Sequence, residues 1–150
     1  MLTDALLQLS SAQVVTASAV STNTIDLSQS RDIGTGEDLY ANFTVDETVT
    51  ASGAATVTFQ VITSAAADLS SPTVLVQSGA IPKADLPAGR KPISICIPPS
   101  ALLAQPIGQR YFGVNYLIAT GPLTAGKFSC NIGNSEVSSG AYYPSGFTVA

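Results

Sequence analysis

The stretch Ala55-Thr56-Val57-Thr58-Phe59-Gln60-Val61-Ile62-Thr63 sets Val57, Phe59 and Val61 on one side of an extended chain and Thr56, Thr58 and Gln60 on the other. Successive side chains of a strand point to opposite faces, so this alternation predicts a strand half buried in an antiparallel sheet. Its β-branched and aromatic residues are the types that pack on a pleated surface. The same pattern recurs in Asp38-Leu39-Tyr40-Ala41-Asn42-Phe43-Thr44-Val45, where Leu39, Ala41, Phe43 and Val45 share a face opposite Tyr40, Asn42 and Thr44. The longest run, 110–119, sets Phe112, Val114, Tyr116 and Ile118 together. On its other face Gly113 predicts a bulge or a close approach by another backbone.

Working outward, further strands are expected at about 23–27, 73–77, 93–97, 126–132 and 146–149. Ser52-Gly53, Leu86-Pro87-Ala88-Gly89, Ile97-Pro98-Pro99-Ser100 and Gly121-Pro122-Leu123-Thr124-Ala125-Gly126 separate them. About eight short strands with no helical crossover point to an all-β antiparallel sandwich, and the strand count suits a jelly roll. An immunoglobulin-like sandwich is the alternative, disfavoured because the chain has no Trp. Helical spacing occurs only where Leu2, Leu6 and Leu9 recur at i, i+4 and i+7, with Thr3 and Asp4 as candidate caps, and predicts a short N-terminal helix or arm. The expected organisation is one domain over 1–150, with an arm and first strand in 1–20 and a tail or last strand in 140–150.

Only 11% of the residues are charged, against about 25% in an average domain. Ser, Thr, Ala and Gly stand in their place, and Ser and Thr lose less side-chain entropy than Lys or Glu when a surface is covered. Such a surface suits extensive contact with protein. The net charge is −4, and the six basic residues Arg31, Lys83, Arg90, Lys91, Arg110 and Lys127 are scattered apart from one Arg-Lys pair. Phosphate binding needs clustered cations, so nucleic acid is not an expected partner; anionic membranes are disfavoured by the same sign. The opening Met1-Leu2-Thr3-Asp4-Ala5-Leu6-Leu7 lacks the basic and apolar regions of a secretory signal, and no run is long and apolar enough for a membrane span. The expectation is a soluble protein made in a cytoplasm. Cys96 and Cys130 are expected to be free thiols in strands.

The chain contains no His, which removes the commonest general base and metal ligand. Ser-His-Asp and Cys-His nucleophiles cannot be built. The lysines Lys83, Lys91 and Lys127 sit beside turn residues and are expected to be solvated. Asp46-Glu47 and Glu37-Asp38 are the only adjacent acids, flank one strand, and as strand neighbours would point to opposite faces rather than converge on a substrate. Distant acids such as Asp26 and Asp68 could still meet in space. Calcium-loop, Walker and dinucleotide patterns are absent from the sequence. No enzyme activity and no cofactor are therefore expected. Tyr142-Tyr143 is an aromatic pair that could anchor a glycan or a neighbouring protein.

The segments Met1-Leu2-Thr3-Asp4-Ala5-Leu6-Leu7-Gln8-Leu9-Ser10, Leu69-Ser70-Ser71-Pro72-Thr73-Val74-Leu75 and Arg110-Tyr111-Phe112-Gly113-Val114-Asn115-Tyr116 resemble the jelly-roll capsid cement (decoration) proteins of the short-tailed Bordetella phage type. So do Ala119-Thr120-Gly121-Pro122-Leu123-Thr124-Ala125-Gly126-Lys127-Phe128 and Tyr143-Pro144-Ser145-Gly146-Phe147-Thr148-Val149. The resemblance implies a structural protein on the exterior of an icosahedral head, made in the host bacterial cytoplasm. Its partners would be the major capsid protein and a second copy of itself, with a homodimer favoured over a trimer, and no cofactor or catalytic residue comes with it. On this reading Leu2, Leu6 and Leu9 dock a terminal arm, Tyr142, Tyr143 and Phe147 anchor the C-terminal tail, and Arg110 pairs with a capsid acid; for each, packing within its own fold is the alternative. A carbohydrate-binding or host-adhesion module on the virion surface is the second functional reading.

Overall fold

The computed structural model describes residues 3–28, 37–103 and 109–137. Leu2, Tyr142, Tyr143, Phe147 and the strand expected at 146–149 lie outside these residues. In chain order the strands are β1 (Gln8–Val14), β2 (Ala19–Val20), β3 (Ile25–Asp26), β4 (Leu39–Thr50), β5 (Thr56–Ser64), β6 (Thr73–Gln77), β7 (Ile81–Pro82), β8 (Ile93–Ile97), β9 (Tyr111–Ala119) and β10 (Ala125–Gly133). They form two antiparallel sheets packed face to face as a β-sandwich. Sheet A has the order β1-β10-β4-β8; sheet B has the order β2-β9-β5-β6, with β3 also on β9 and β7 also on β5. Among the described residues the first strand thus lies beside the last and the second beside the last but one, a nesting consistent with the expected jelly roll. An immunoglobulin sandwich keeps its last two strands in one sheet. Here β9 and β10 are in different sheets.

Period-two alternation accounts for the core. Ala41, Phe43 and Val45 of β4, Val57, Phe59 and Val61 of β5, Phe112, Val114 and Tyr116 of β9, and Phe128, Cys130 and Ile132 of β10 all face inward and are buried. Each of the four central strands contributes a ring. Phe43 and Phe59 lie 4.8 Å apart across the sheets, Phe59 meets Phe128 edge-on at 5.3 Å, and Tyr116 stacks on Phe128 at 5.2 Å. Such arrangements add stability beyond area burial. The buried phenol of Tyr116 donates to Ser10 Oγ at 2.9 Å, and Ser10 donates to Gln13 Oε1 at 2.8 Å. Gln13 Nε2 in turn donates to the carbonyl of Val20 at 2.8 Å. The buried phenol hydroxyl is therefore satisfied by the edge strands, as burial requires.

Two expectations are corrected at the strand ends. The leucine spacing at the N-terminus does not make a helix beyond one 3-10 turn, Ala5–Leu7, capped by Asp4 Oδ1 accepting from the N–H of Leu6 at 2.9 Å. Pairing with β10 then captures the chain as β1, with Gln8 opposite Asn131, and buries Leu9 completely. Leu6, 66% exposed, faces solvent, so tertiary pairing overrides local spacing. The strand expected to end at Val45 runs on to Thr50, because the exposed acids after Val45 find partners on β10 and Val49 returns to the core.

Gly113 is not at a bulge, since β5 and β9 stay in register from Thr56–Ala119 to Ser64–Tyr111. The approach it permits comes from a side chain. The loop between β5 and β6 folds back over the outside of sheet B, where a Cβ on Gly113 would lie 2.4 Å from Leu69 Cδ1 and 3.0 Å from Ser21 Oγ. Leu69 is buried and holds a left-handed backbone at φ 56°. The N–H of Leu69 donates to the Ala66 carbonyl at 3.1 Å, and Ser64 Oγ donates to the Ser70 carbonyl at 2.6 Å. Overpacking here predicts that Gly113→Ala destabilises by about 1–3 kcal/mol and Leu69→Ala by about 2–5 kcal/mol. In urea unfolding, the Gly113→Ala/Leu69→Ala double variant should lose clearly less than the sum, because removing the isobutyl group makes room for the new methyl.

Candidate contact surfaces

The two outer faces of the sandwich differ in chemistry. On sheet A, Ser129 of β10 donates to Asp46 Oδ2 at 2.6 Å and accepts from the N–H of Ala12 at 2.8 Å. Ala12, at φ 44°, sits where β1 slips register against β10. Beside it Lys127 and Glu47 form an ion pair at 3.0 Å. Farther along, Ser94 of β8 donates to Asn42 Oδ1 at 2.5 Å, while Asn42 Nδ2 donates to the Ser135 carbonyl at 3.0 Å. The chain leaving β10 is thereby tied down across the sheet, and Asn42 is buried although it points away from the core.

Sheet B presents a different surface. Of its six strands only β3 carries a charged residue, Asp26, which is paired with Arg110 just before β9; β2, β5, β6, β7 and β9 contain no Asp, Glu, Lys or Arg. Three strands are laced by an amide ladder in which Asn115 Nδ2 donates to Gln60 Oε1 at 2.7 Å and Gln60 Nε2 donates to Gln77 Oε1 at 2.7 Å. The apolar Leu117 and Val74 of this sheet are exposed by 40% and 42%. Charge-depleted surfaces with satisfied polar groups are what the centre of a protein interface consists of. Composition pointed to low charge overall, but the segregation to one sheet emerges only from strand order.

The candidate contact residues are dispersed by the fold. Leu6 is exposed at one edge and Leu9 is in the core, so the two are not parts of one docking face. Arg110 already has an internal partner: its Nε and Nη2 reach both oxygens of Asp26 at 2.8 and 2.7 Å, and its guanidinium lies 5.1 Å from the ring centroid of Tyr111. A capsid acid would have to displace Asp26. The hydrogen bonds from Arg110, followed by those from Ser28, hold the Asp26 carboxyl well below the usual carboxylate range. Asp68 is likewise held low, by Ser70. Asp26 and Asp68 are therefore each engaged locally. Asp46 and Glu47 take separate partners, Ser129 and Lys127. Among the described residues no group of three His, Cys, Asp or Glu side chains is placed to hold a metal ion.

Both cysteines are free thiols in strands, as expected; Cys96 is exposed on β8 and Cys130 is buried on β10. Burial pushes the Cys130 thiol up, away from the reactive thiolate. A thiol reagent such as Ellman's should therefore modify Cys96 in the folded protein and Cys130 only on unfolding; rapid native labelling of Cys130 would contradict this packing. Acid sensitivity follows from Asp26. Because its carboxyl is lowered in the folded state, the stabilisation is complete above the unfolded value of about 3.9 and is lost as pH falls through the folded value. Asp26→Asn should lower Tm slightly at neutral pH and flatten its fall on acidification, which thermal melts across pH 2–6 would show.

No curated protein matches the chain. A family model described as Bbp16 matches residues 9–132, from the second residue of β1 to the penultimate residue of β10. The match is thus coextensive with the sandwich, and the chain belongs to the Bbp16 family, whose name points to a Bordetella phage protein.

Proposed function

We propose that this protein is a structural virion protein that binds the outer surface of an icosahedral phage head and clamps neighbouring major capsid protein subunits, working by contact rather than by chemistry. Membership of the Bbp16 family carries the reading. The ladder-bonded centre of sheet B, formed by β5, β6 and β9 without a charged residue, supports it, because such a surface can be buried against protein without stranding charges. A packaged genome presses outward on a thin shell. A protein that holds two subunits at once makes its second contact intramolecular, so modest individual contacts add up to firm attachment. A homodimer closed about a two-fold axis would present two equivalent capsid-binding ends. Neither nucleic acid nor membrane is a partner on this reading, and no cofactor is used.

The test is addition of the purified protein to heads assembled from the cognate major capsid protein. It should co-sediment with the heads and raise the temperature at which they rupture, and Leu117→Glu, which places a charge at an exposed position of the charge-free strand β9, should weaken attachment while leaving the free protein folded. The proposal falls if the wild-type protein does not co-sediment and heads with and without it rupture alike.

A further inference from the structure

We infer that the outer edge of β8 is covered by the chain's own C-terminal segment, residues 138–150, which adds a short strand at about 146–149 to sheet A. This holds whether or not the protein attaches to a phage head.

The two long sides of the sandwich are closed differently. On one side, between β1 and β2, residues 22 and 23 use the free groups of the edge. The N–H of Asn23 donates to the Leu9 carbonyl and Asn23 Nδ2 to the Gln8 carbonyl, both at 3.0 Å, while the N–H of Thr22 donates to Gln13 Oε1 at 3.1 Å. Behind that closure Leu9, Val15 and Ile25 are fully buried. On the other side sheet A ends with β8, whose strand neighbour among the described residues is β4 alone. Ile93 and Ile95 of β8 pack against the core yet are only partly buried, as is Leu75 of β6, the edge strand beside β8 in the other sheet. Native edges are usually blunted by charges, Pro or bulges. None of these occurs within Ile93–Ile97, which keeps an unbroken register with β4. A regular, apolar edge with outward-facing N–H and C=O groups is what an added strand pairs with.

The chain delivers its own occupant to this edge. After β10 it crosses the outside of sheet A toward β8: the Ser135 carbonyl accepts from Asn42 Nδ2 on β4 at 3.0 Å, and the N–H of Val137 donates to Ser94 Oγ on β8 at 3.4 Å. Thirteen residues follow, 138–150, and none is charged. A neutral segment thus meets a neutral edge. Within it Gly146-Phe147-Thr148-Val149 alternates as a strand does, with Phe147 and Val149 on one side and Thr148 on the other. Paired with β8, Phe147 and Val149 extend the inward row of Ile93 and Ile95, and Thr148 extends the outer row of Ser94 and Cys96. The reach suffices, since the intervening residues 138–145 can span about 26 Å, against about 17 Å for the length of β8. A segment tethered beside the edge has an effective concentration in the millimolar range, which favours the same chain over a second copy.

The full chain tests this by amide hydrogen exchange and isotope-edited NMR. The amides of 93–97 should all be protected, including those that face away from β4, and uniformly 13C-labelled protein should give NOEs from Phe147 and Val149 to Ile93 and Ile95. A mixture of labelled and unlabelled copies should give no such NOEs between molecules. Successive N–H groups of a strand point in opposite directions, so one of Thr148 and Val149 must face β8. Thr148→Pro/Val149→Pro should therefore speed exchange at alternate positions of 93–97 by about tenfold or more, while β4 and β10 keep wild-type protection. Phe147→Asp should act in the same direction by setting a charge against the apolar edge. Fast exchange at alternate amides of 93–97 in the wild type, or protection there that neither variant reduces, would overturn the inference. NOEs between molecules would overturn it as well, because the edge would then be covered by the segment of a second copy.

Discussion

The ring cluster of Phe43, Phe59, Tyr116 and Phe128 is the constraint on which this sandwich depends. One ring comes from each of β4, β5, β9 and β10, so the four central strands of both sheets share a single packing problem. A change in register of any one strand would turn its ring to the outer face, since the side-chain period is two. The cluster also recruits the edges. Tyr116 brings a hydroxyl into the core, and Ser10, Gln13 and the Val20 carbonyl supply the hydrogen-bond chain that satisfies it. The slip and left-handed turn of β1 at Ala12 are thus part of the same arrangement, because they set Ser10 and Gln13 toward the phenol.

With the interior committed to one cluster, the two outer faces are free to diverge. Sheet A is covered by polar bonds that tie β1 to β10 and lay residues 134–137 across β4 and β8. Sheet B carries an amide ladder, two exposed apolar side chains and the plug of Leu69 over Gly113. That plug makes the β5–β6 loop part of the sheet's outer surface rather than a tether.

Much of the strand pattern is readable without coordinates. The expected strands at 73–77 and 93–97 coincide with β6 and β8, and the run at 110–119 begins one residue before β9. In each, β-branched residues and flanking turn residues agree with the final environment. The failures have physical causes. Leu2, Leu6 and Leu9 carry a helical spacing, yet the free edge of β10 offers Gln8–Val14 more hydrogen bonds than an isolated turn or two of helix, and Leu9 goes to the core. Asp46 and Glu47 looked like a strand end because charges usually face solvent at termini. Ser129 and Lys127, more than 80 positions away for Ser129 in the case of Asp46, allow the strand to continue. Arg110 looked available for a partner until Asp26 was found opposite it.

The sequence by itself determined the class of fold and its inward faces, because alternation is a local property: whether residue i and residue i+2 share a face depends only on the extended backbone between them. It also determined which chemistry is out of reach for a chain without His. Only the tertiary structure decided which strands are neighbours, and with them every property that depends on adjacency. The amide ladder of sheet B, the knob of Leu69 in the space left by Gly113, and the pairing of Arg110 with Asp26 and of Lys127 with Glu47 all join residues distant in the chain. Their pairing is set by how two sheets close around four rings, a collective packing solution that no window of sequence contains.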